Sequence, residues 1–225
     1  MTSSVRFETD GAVATVTLNR PQARNALTPA MLCRLTDAFD AYEAGDALRA
    51  LIITGAGEHA FCAGGDLGST IPLLTGAREP VDEWDRRVLG DAAVMATSGL
   101  RERPGVKPII AAINGACMAG GFELLLGTDI RIAADHARFA LPEASRGVLP
   151  FAGSIARLPR QIPHCAAMYL MLTGDPIDAA EALRIGLVNQ CVAADRVMPA
   201  ARAIADRIAA NAPVSVREIK RVAIA

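Results

Sequence analysis

Aromatic side chains are scarce in this chain, 4% of 225 residues with a single tryptophan. Surfaces that stack nucleic-acid bases are built from such rings, so that class of partner is disfavoured. Neither sign of charge is in excess, since 23 Lys and Arg face 24 Asp and Glu. A balance of −1 supplies no field for nucleic acid or for an anionic membrane. Three histidines (His59, His136, His164) form no HxxxH pair, and five cysteines (Cys33, Cys62, Cys117, Cys165, Cys191) form no CxxC pair. An odd, dispersed set of this kind argues against a disulfide framework and against a zinc site. The opening MTSSVRFETDG has no apolar signal core, and no apolar run reaches membrane-spanning length. A reduced cytoplasm is the expected location. A GxxxxGK[ST] phosphate loop is missing as well.

What the chain has instead is apolar mass. The apolar fraction is 52% and mean hydropathy is +0.28, in a length that suits one domain, or one domain with an appendage. VRFETDGAVATVTLN reads as two strands about Asp10-Gly11. Thr28-Pro29 then offers an N-cap and a first-turn proline, with Leu32, Leu35, Phe39 and Tyr42 at helical spacing up to Gly45. RALIITG (49–55) and PIIAAIN (108–114) are apolar runs of buried-strand length. Charge mixed with Val88, Leu89, Ala92, Met95 and Leu100 predicts a helix over 81–103. GFELLLG predicts a short helix, and DIRIAADHARFALPE two short strands. From Ile162 onward AAMYLMLTG, DAAEALRIG and RVMPAARAIADRIAANAP read as helices, interrupted by a strand in LVNQCV. Strand–strand–helix units recur about three times, which places the chain in the α/β class.

Two glycine-rich segments follow buried strands. GAGEHA (55–60) matches GxGxxA, but a dinucleotide fingerprint needs a helix to open there, and AFCAGGD shows no helical periodicity. CAGGD (62–66) and ACMAGGFE (116–123) both place glycines where backbone N–H groups can be left bare. Two such donors aimed at one point make an oxyanion hole. If GFELLL is a helix, its dipole assists the donor near Gly120. The same glycines serve equally well to turn corners or to permit close packing. Glu123 and Glu143 tip that balance. Each lies among apolar neighbours, and a carboxyl in such surroundings is rare unless it is paired or working. Two carboxyls in one apolar pocket have their titrations pushed apart, giving an acid and a base near neutrality.

Together these segments resemble the crotonase superfamily, the enoyl-CoA hydratases and isomerases. The resemblance rests on VTLNRPQARNALT (16–28), LIITGAGEHAFCAGGDL (51–67), KPIIAAINGACMAGGFELLLGTDIRIAADHARFALPE (107–143) and, more loosely, LTGDPIDAAEALRIGLVNQCV (172–192). It implies a spiral of repeated ββα units over 1–195, carrying the CoA-thioester site, and the start of a C-terminal helical region over 196–225. It also implies an oxyanion hole from the amides of Gly65 and Gly120, with Glu123 and Glu143 as the catalytic carboxyls. Arg24, Ala26, Ala63, Gly64, Asp66, Leu67 and Pro142 would line the substrate channel, and Phe151 the acyl pocket. Coenzyme A would be part of the substrate, with no separate cofactor and no metal. The expected reaction is hydration of a trans-2-enoyl-CoA within fatty-acid β-oxidation, by a homotrimer or a dimer of trimers. Δ3–Δ2 isomerisation is the second reading, because isomerising members often keep only one of the two carboxylates. A non-catalytic CoA binder is the third.

The sequence also departs from the family pattern. Gly68 and Ser69 stand where relatives commonly place a lysine near the adenosine. Phe151 stands where many have glycine. The segment 69–87 reads as mobile, and the chain stops at VREIKRVAIA where relatives continue into further helices. A rival hydrolase reading would use Ser154 with His164, or Cys62 with His59. Nothing in the sequence orders a third group about either pair.

Overall fold

The computed structural model describes residues 3–98, 100 and 105–223. A hairpin starts the chain, β1 (Val5–Asp10) pairing antiparallel with β2 (Val13–Leu18). The 16-residue helix α1 (Pro29–Ala44) follows. Thr28 caps it by accepting from the Met31 amide at 3.3 Å, and Pro29 stands where no intrahelical donor is needed.

Thereafter the chain winds as a spiral. Each turn lays one long strand in a first sheet and one short strand in a second. The long strands are β3 (Ala50–Gly55), β5 (Ile109–Ile113) and β7 (Ile130–Ala134). Their partners are β4 (Ala60–Cys62), β6 (Ala116–Met118) and β8 (Arg138–Ala140). With β9 (Ile177–Asp178) and β10 (Gln190–Val192), the described residues form sheets ordered β1-β2-β3-β5-β7-β10 and β4-β6-β8-β9. From β2 to β10 the first sheet is parallel, and every residue of β3 and β5 is buried. That is why ALIITG and IIAAI are apolar throughout, without alternation.

Helices fill the space between the turns. α2 (Thr70–Leu74), α3 (Glu83–Gly90) and α4 (Ala92–Ser98) follow β4, and α5 (Gly120–Leu126) follows β6. α6 (Ser154–Gln161), α7 (His164–Thr173) and α8 (Ala179–Arg184) lie between β8 and β10. α9 (Val197–Ala210) covers β3, β5 and β7, and α10 (Pro213–Ala223) completes the described chain. None of these helices is long and apolar enough to cross a membrane, the described residues alone being considered.

Several elements differ from the sequence reading. β4 and β6 lie inside segments read as glycine-rich loops, because three residues are too few to show a two-residue period. The helix expected over 81–103 is two helices that part at Asp91, whose φ of −109° and ψ of 102° are extended. Asp91 Oδ1 instead accepts from the Ala93 amide at 2.9 Å, starting a new helix. Residues 99 and 101–104 of that expectation lie outside the described residues. The segment 69–87 contains α2 and the start of α3, and it carries an internal tie. Arg78 meets the buried Asp85 through two hydrogen bonds of 2.5 and 2.7 Å, and donates to Ser69 O at 2.9 Å. α6 was also unforeseen, since helices were expected only from Ile162.

Candidate active site

The amide half of the site is built where three strands end. A single parallel bridge joins Leu27 to Gly65. It uses the carbonyl of Gly64, which accepts from Leu27 N at 2.8 Å, and the amide of Asp66, which donates to Leu27 O at 2.9 Å. The residue between them, Gly65, is left with an amide that meets no protein acceptor among the described residues. Between β6 and α5, Ala119 donates to Ala140 O at 3.0 Å. Its φ of 51° and ψ of −128° are unusual for a residue with a side chain and store strain. That conformation turns the next amide, Gly120, out of the sheet. As the first residue of α5, Gly120 has no intrahelical acceptor.

The two bare amides are neighbours. A Cβ built on Gly120 would stand 3.5 Å from the Gly65 nitrogen, and one built on Gly64 would stand 2.9 Å from the Gly120 nitrogen. Gly64 has a φ of +93°, and its Cβ would also strike the Ala119 methyl at 2.8 Å. Glycine is required at that position by conformation and by space.

The carboxyl half stands across the same cavity, which holds about 910 Å³. Glu123 comes from the first turn of α5 and is 4% exposed; Glu143 follows β8 and Pro142 and is 8% exposed. Burial pushes the Glu123 carboxyl up to about 7, with the Glu143 charge adding to the shift and the Ser154 amide opposing it. That amide donates to Glu123 Oε1 at 3.2 Å. Burial also raises Glu143, against the nearby Arg146. Among the described residues, Glu143 Oε2 is buried without a hydrogen-bond partner. A buried carboxyl oxygen with nothing to bond is a place for a donor that arrives with substrate or water.

Of the residues singled out in the sequence, Gly65, Gly120, Glu123, Glu143, Arg24, Ala26, Ala63, Asp66, Leu67, Pro142 and Phe151 all line this cavity. Gly64 does not; it lies behind the wall and shapes the backbone around the two amides. Asp66 faces the cavity but is engaged as a brace. It pairs with Arg20 and accepts from Ser69 Oγ at 2.8 Å and from the Gly68 amide at 3.0 Å. Burial would raise its carboxyl, yet these partners together hold it below the usual range. Phe151 and Leu149 rim the opening at 53% and 68% exposure.

The nucleophile pairs of the rival reading are not assembled. Ser154 is fully buried with no partner for its hydroxyl among the described residues, while His164 is exposed at the start of α7. Cys62 is buried, which pushes its thiol up to about 12, and His59 is exposed. A thiol so raised is a poor nucleophile at neutral pH. The GxGxxA match leads into β4 and not into a helix, so it provides no helix N-terminus for a pyrophosphate.

Two supports escaped the sequence reading. Asn25, with a φ of 56°, is fully buried and donates to Ala56 O and Ala60 O at 3.0 and 2.8 Å. It thereby pins the Arg24–Ala26 stretch to the turn before β4. Arg131, 7% exposed, donates to Leu126 O, Thr128 O and Leu187 O at 3.1–3.3 Å and to Gln161 Oε1 at 2.7 Å. It joins the end of α5 to the end of α6, the two helices that meet at Glu123 and Ser154.

Comparison with known proteins agrees with this geometry. The sequence profile described as enoyl-CoA hydratase/isomerase matches residues 8–224. The carnitinyl-CoA dehydratase of Proteus mirabilis is 38% identical over 222 residues, 99% of this chain and 80% of that protein. An enoyl-CoA hydratase of Mycobacterium tuberculosis is 40% identical over 214 residues, 95% of this chain and 77% of that protein. Among solved structures, a carnitinyl-CoA dehydratase from Mycobacterium avium superposes with a TM-score of 0.85 at 39% identity, covering 99% of this chain and 82% of that one. The spiral of ββ turns, the paired bare amides and the profile match across nearly the whole chain place it in the crotonase superfamily, within the enoyl-CoA hydratase/isomerase family.

Proposed function

We propose that the protein hydrates a trans-2-enoyl-CoA to the 3-hydroxyacyl-CoA. The observation that carries the proposal is the meeting, in one cavity, of two bare amides with two buried carboxyls. The thioester carbonyl oxygen would lie between the amides of Gly65 and Gly120. Water attacks C3, forming the new C–O bond, and the C2=C3 electron pair moves toward that oxygen as an enolate. In this scheme Glu123 enters as the carboxylate and Glu143 as the acid; Glu123 takes a proton from the water, Glu143 delivers one to C2, and a proton returned from Glu123 to Glu143 restores the pair. The carbonyl then re-forms, and the elements of one water have been added.

Burial serves both halves of this scheme. It strengthens the amide donors where charge develops, each worth about 3–4 kcal/mol. It also brings Glu123 to about 7, where a group can accept and return a proton near neutrality. Retention of both carboxyls favours hydration over Δ3–Δ2 isomerisation. Arg24, exposed at the cavity mouth, suits the phosphates of coenzyme A. The homotrimer or dimer of trimers, the cytoplasmic location and the β-oxidation setting belong to the same proposal.

The test is hydration of crotonyl-CoA and of longer enoyl-CoAs, followed by loss of the conjugated thioester. Glu123→Gln and Glu143→Gln are each expected to lower kcat by about 10²–10⁴-fold. Full activity in both variants would refute the mechanism. Inactivity of the wild type toward every enoyl-CoA, with coenzyme A still bound, would establish a binding protein instead.

A further inference from the structure

Ser154 stands behind the carboxyl half of the cavity and has no part in the steps above. It opens α6 after Gly153, whose φ of 121° suits glycine alone. Its amide is taken up by Glu123, as described. Its hydroxyl is fully buried and has no hydrogen-bond partner among the described residues. An orphaned buried hydroxyl is destabilising, and alanine would occupy the same space without that cost. The group therefore calls for a role.

Position supplies one. The amide of the same residue donates to Glu123 Oε1 at 3.2 Å, which sets the hydroxyl on the residue that already holds that carboxyl. The hydroxyl stops short of a hydrogen bond in the resting geometry. Hydrogen bonds of this kind commonly tighten only when substrate is bound. A serine hydroxyl can also rotate, donating to a carboxylate or accepting from a carboxylic acid.

We propose that Ser154 is a positioning residue for Glu123, its hydroxyl donating to the carboxylate and so keeping Glu123 in the proton-accepting form. The proposal rests on the base role given to Glu123 above. Few other charges face that carboxyl. Glu143 acts on it from the turn after β8, with Arg146 beyond. On α6, Arg157 donates to Leu100 O and Arg160 donates to Ala156 O at 3.0 Å. β4 and β6 contribute the buried thiols of Cys62 and Cys117, and α4 has no charged side chain.

The experiment compares wild type with Ser154→Ala and Ser154→Gly. Both variants lack the hydroxyl but differ in volume, so a shared effect cannot come from packing, and either suffices should the other fail to fold. The acid limb of kcat/KM against pH is expected to move up by about one unit in each. Near pH 6 that is about a tenfold loss, which closes at high pH, with KM unchanged. The carbonyl stretch of protonated Glu123 is followed separately by difference infrared titration, with Glu123→Gln as the blank. An unchanged titration midpoint would overturn the proposal, and so would a loss of activity equal at every pH. A midpoint that rises in a protein hydrating no enoyl-CoA would sustain the Ser154–Glu123 coupling and overturn the base role.

Discussion

The two halves of the cavity are made of different materials. The amide half is backbone: Gly64, Gly65, Ala119 and Gly120, held by ladder bonds that leave two nitrogens over. The carboxyl half is side chain: Glu123 and Glu143, with buried oxygen atoms that lack partners at Glu143 and at the supporting Ser154. The first half is set by packing and has no charge to titrate. The second is set by charge, and its state moves with pH. One can be broken by a methyl group, the other by a proton.

On the amide half the largest effect should come from the methyl group. Gly64→Ala adds a Cβ 2.9 Å from the Gly120 nitrogen and 2.8 Å from the Ala119 methyl, in a conformation of φ +93°. It is expected to lower kcat by about 10²–10³-fold, the loss that follows when one oxyanion donor is removed. Since no titrating group is touched, the pH profile should keep its shape. A steady-state assay between pH 5 and 9 checks this, with circular dichroism to confirm the fold. A displaced limb would show that the halves are not independent.

A proton should break the other half, and its mark is on stability as well as rate. Glu123 titrates at about 7 in the folded chain against an ordinary 4.5. The native state thus binds the proton more tightly than the unfolded state. That contribution is fully present below 4.5 and is lost as pH rises to 7, about 3 kcal/mol in all. Glu123→Gln removes the titration. Its stability relative to wild type should therefore rise by about 3 kcal/mol between pH 4.5 and 8, while its activity falls. Urea denaturation at the two pH values measures the difference, and a constant gap would mean that Glu123 is not buried as a charge.

The sequence displayed the two halves unequally. Glu123 and Glu143 stood out because carboxyls rarely lie among leucines and phenylalanines, so burial was legible from neighbours alone. Gly65 and Gly120 were suggestive but equally compatible with turns, and it took the resemblance of several segments to one family to single them out. Gly64 was read as a channel residue although its work is behind the wall. The strained Ala119 was illegible, since its positive φ accompanies a bond to Ala140 twenty-one residues away. Ser154 was visible only as a possible nucleophile, and its place behind Glu123 depends on α6, a helix with Pro159 inside it. The long strands β3 and β5 were legible because both their faces are buried. β4 and β6 were not, being three residues long and set by pairing across the spiral.

The smallest effect separates the two carboxyls from each other. Arg146 is exposed and acts on Glu143, holding its proton less tightly than burial alone would. Arg146→Ala removes that pull, so Glu143 should keep its proton to higher pH. An exposed charge is heavily screened, so the shift should be small, about threefold in rate on the affected limb. If Glu143 delivers the proton to C2, the alkaline limb moves upward and the acid limb stays in place. If the acid limb moves instead, Glu143 is the base and Glu123 the acid, and the assignment within the pair is reversed. Salt should abolish the difference between variant and wild type in either case, because the interaction crosses solvent. The amide half should register none of this, and a change in KM without a displaced limb would place Arg146 at the substrate and not at the carboxyl.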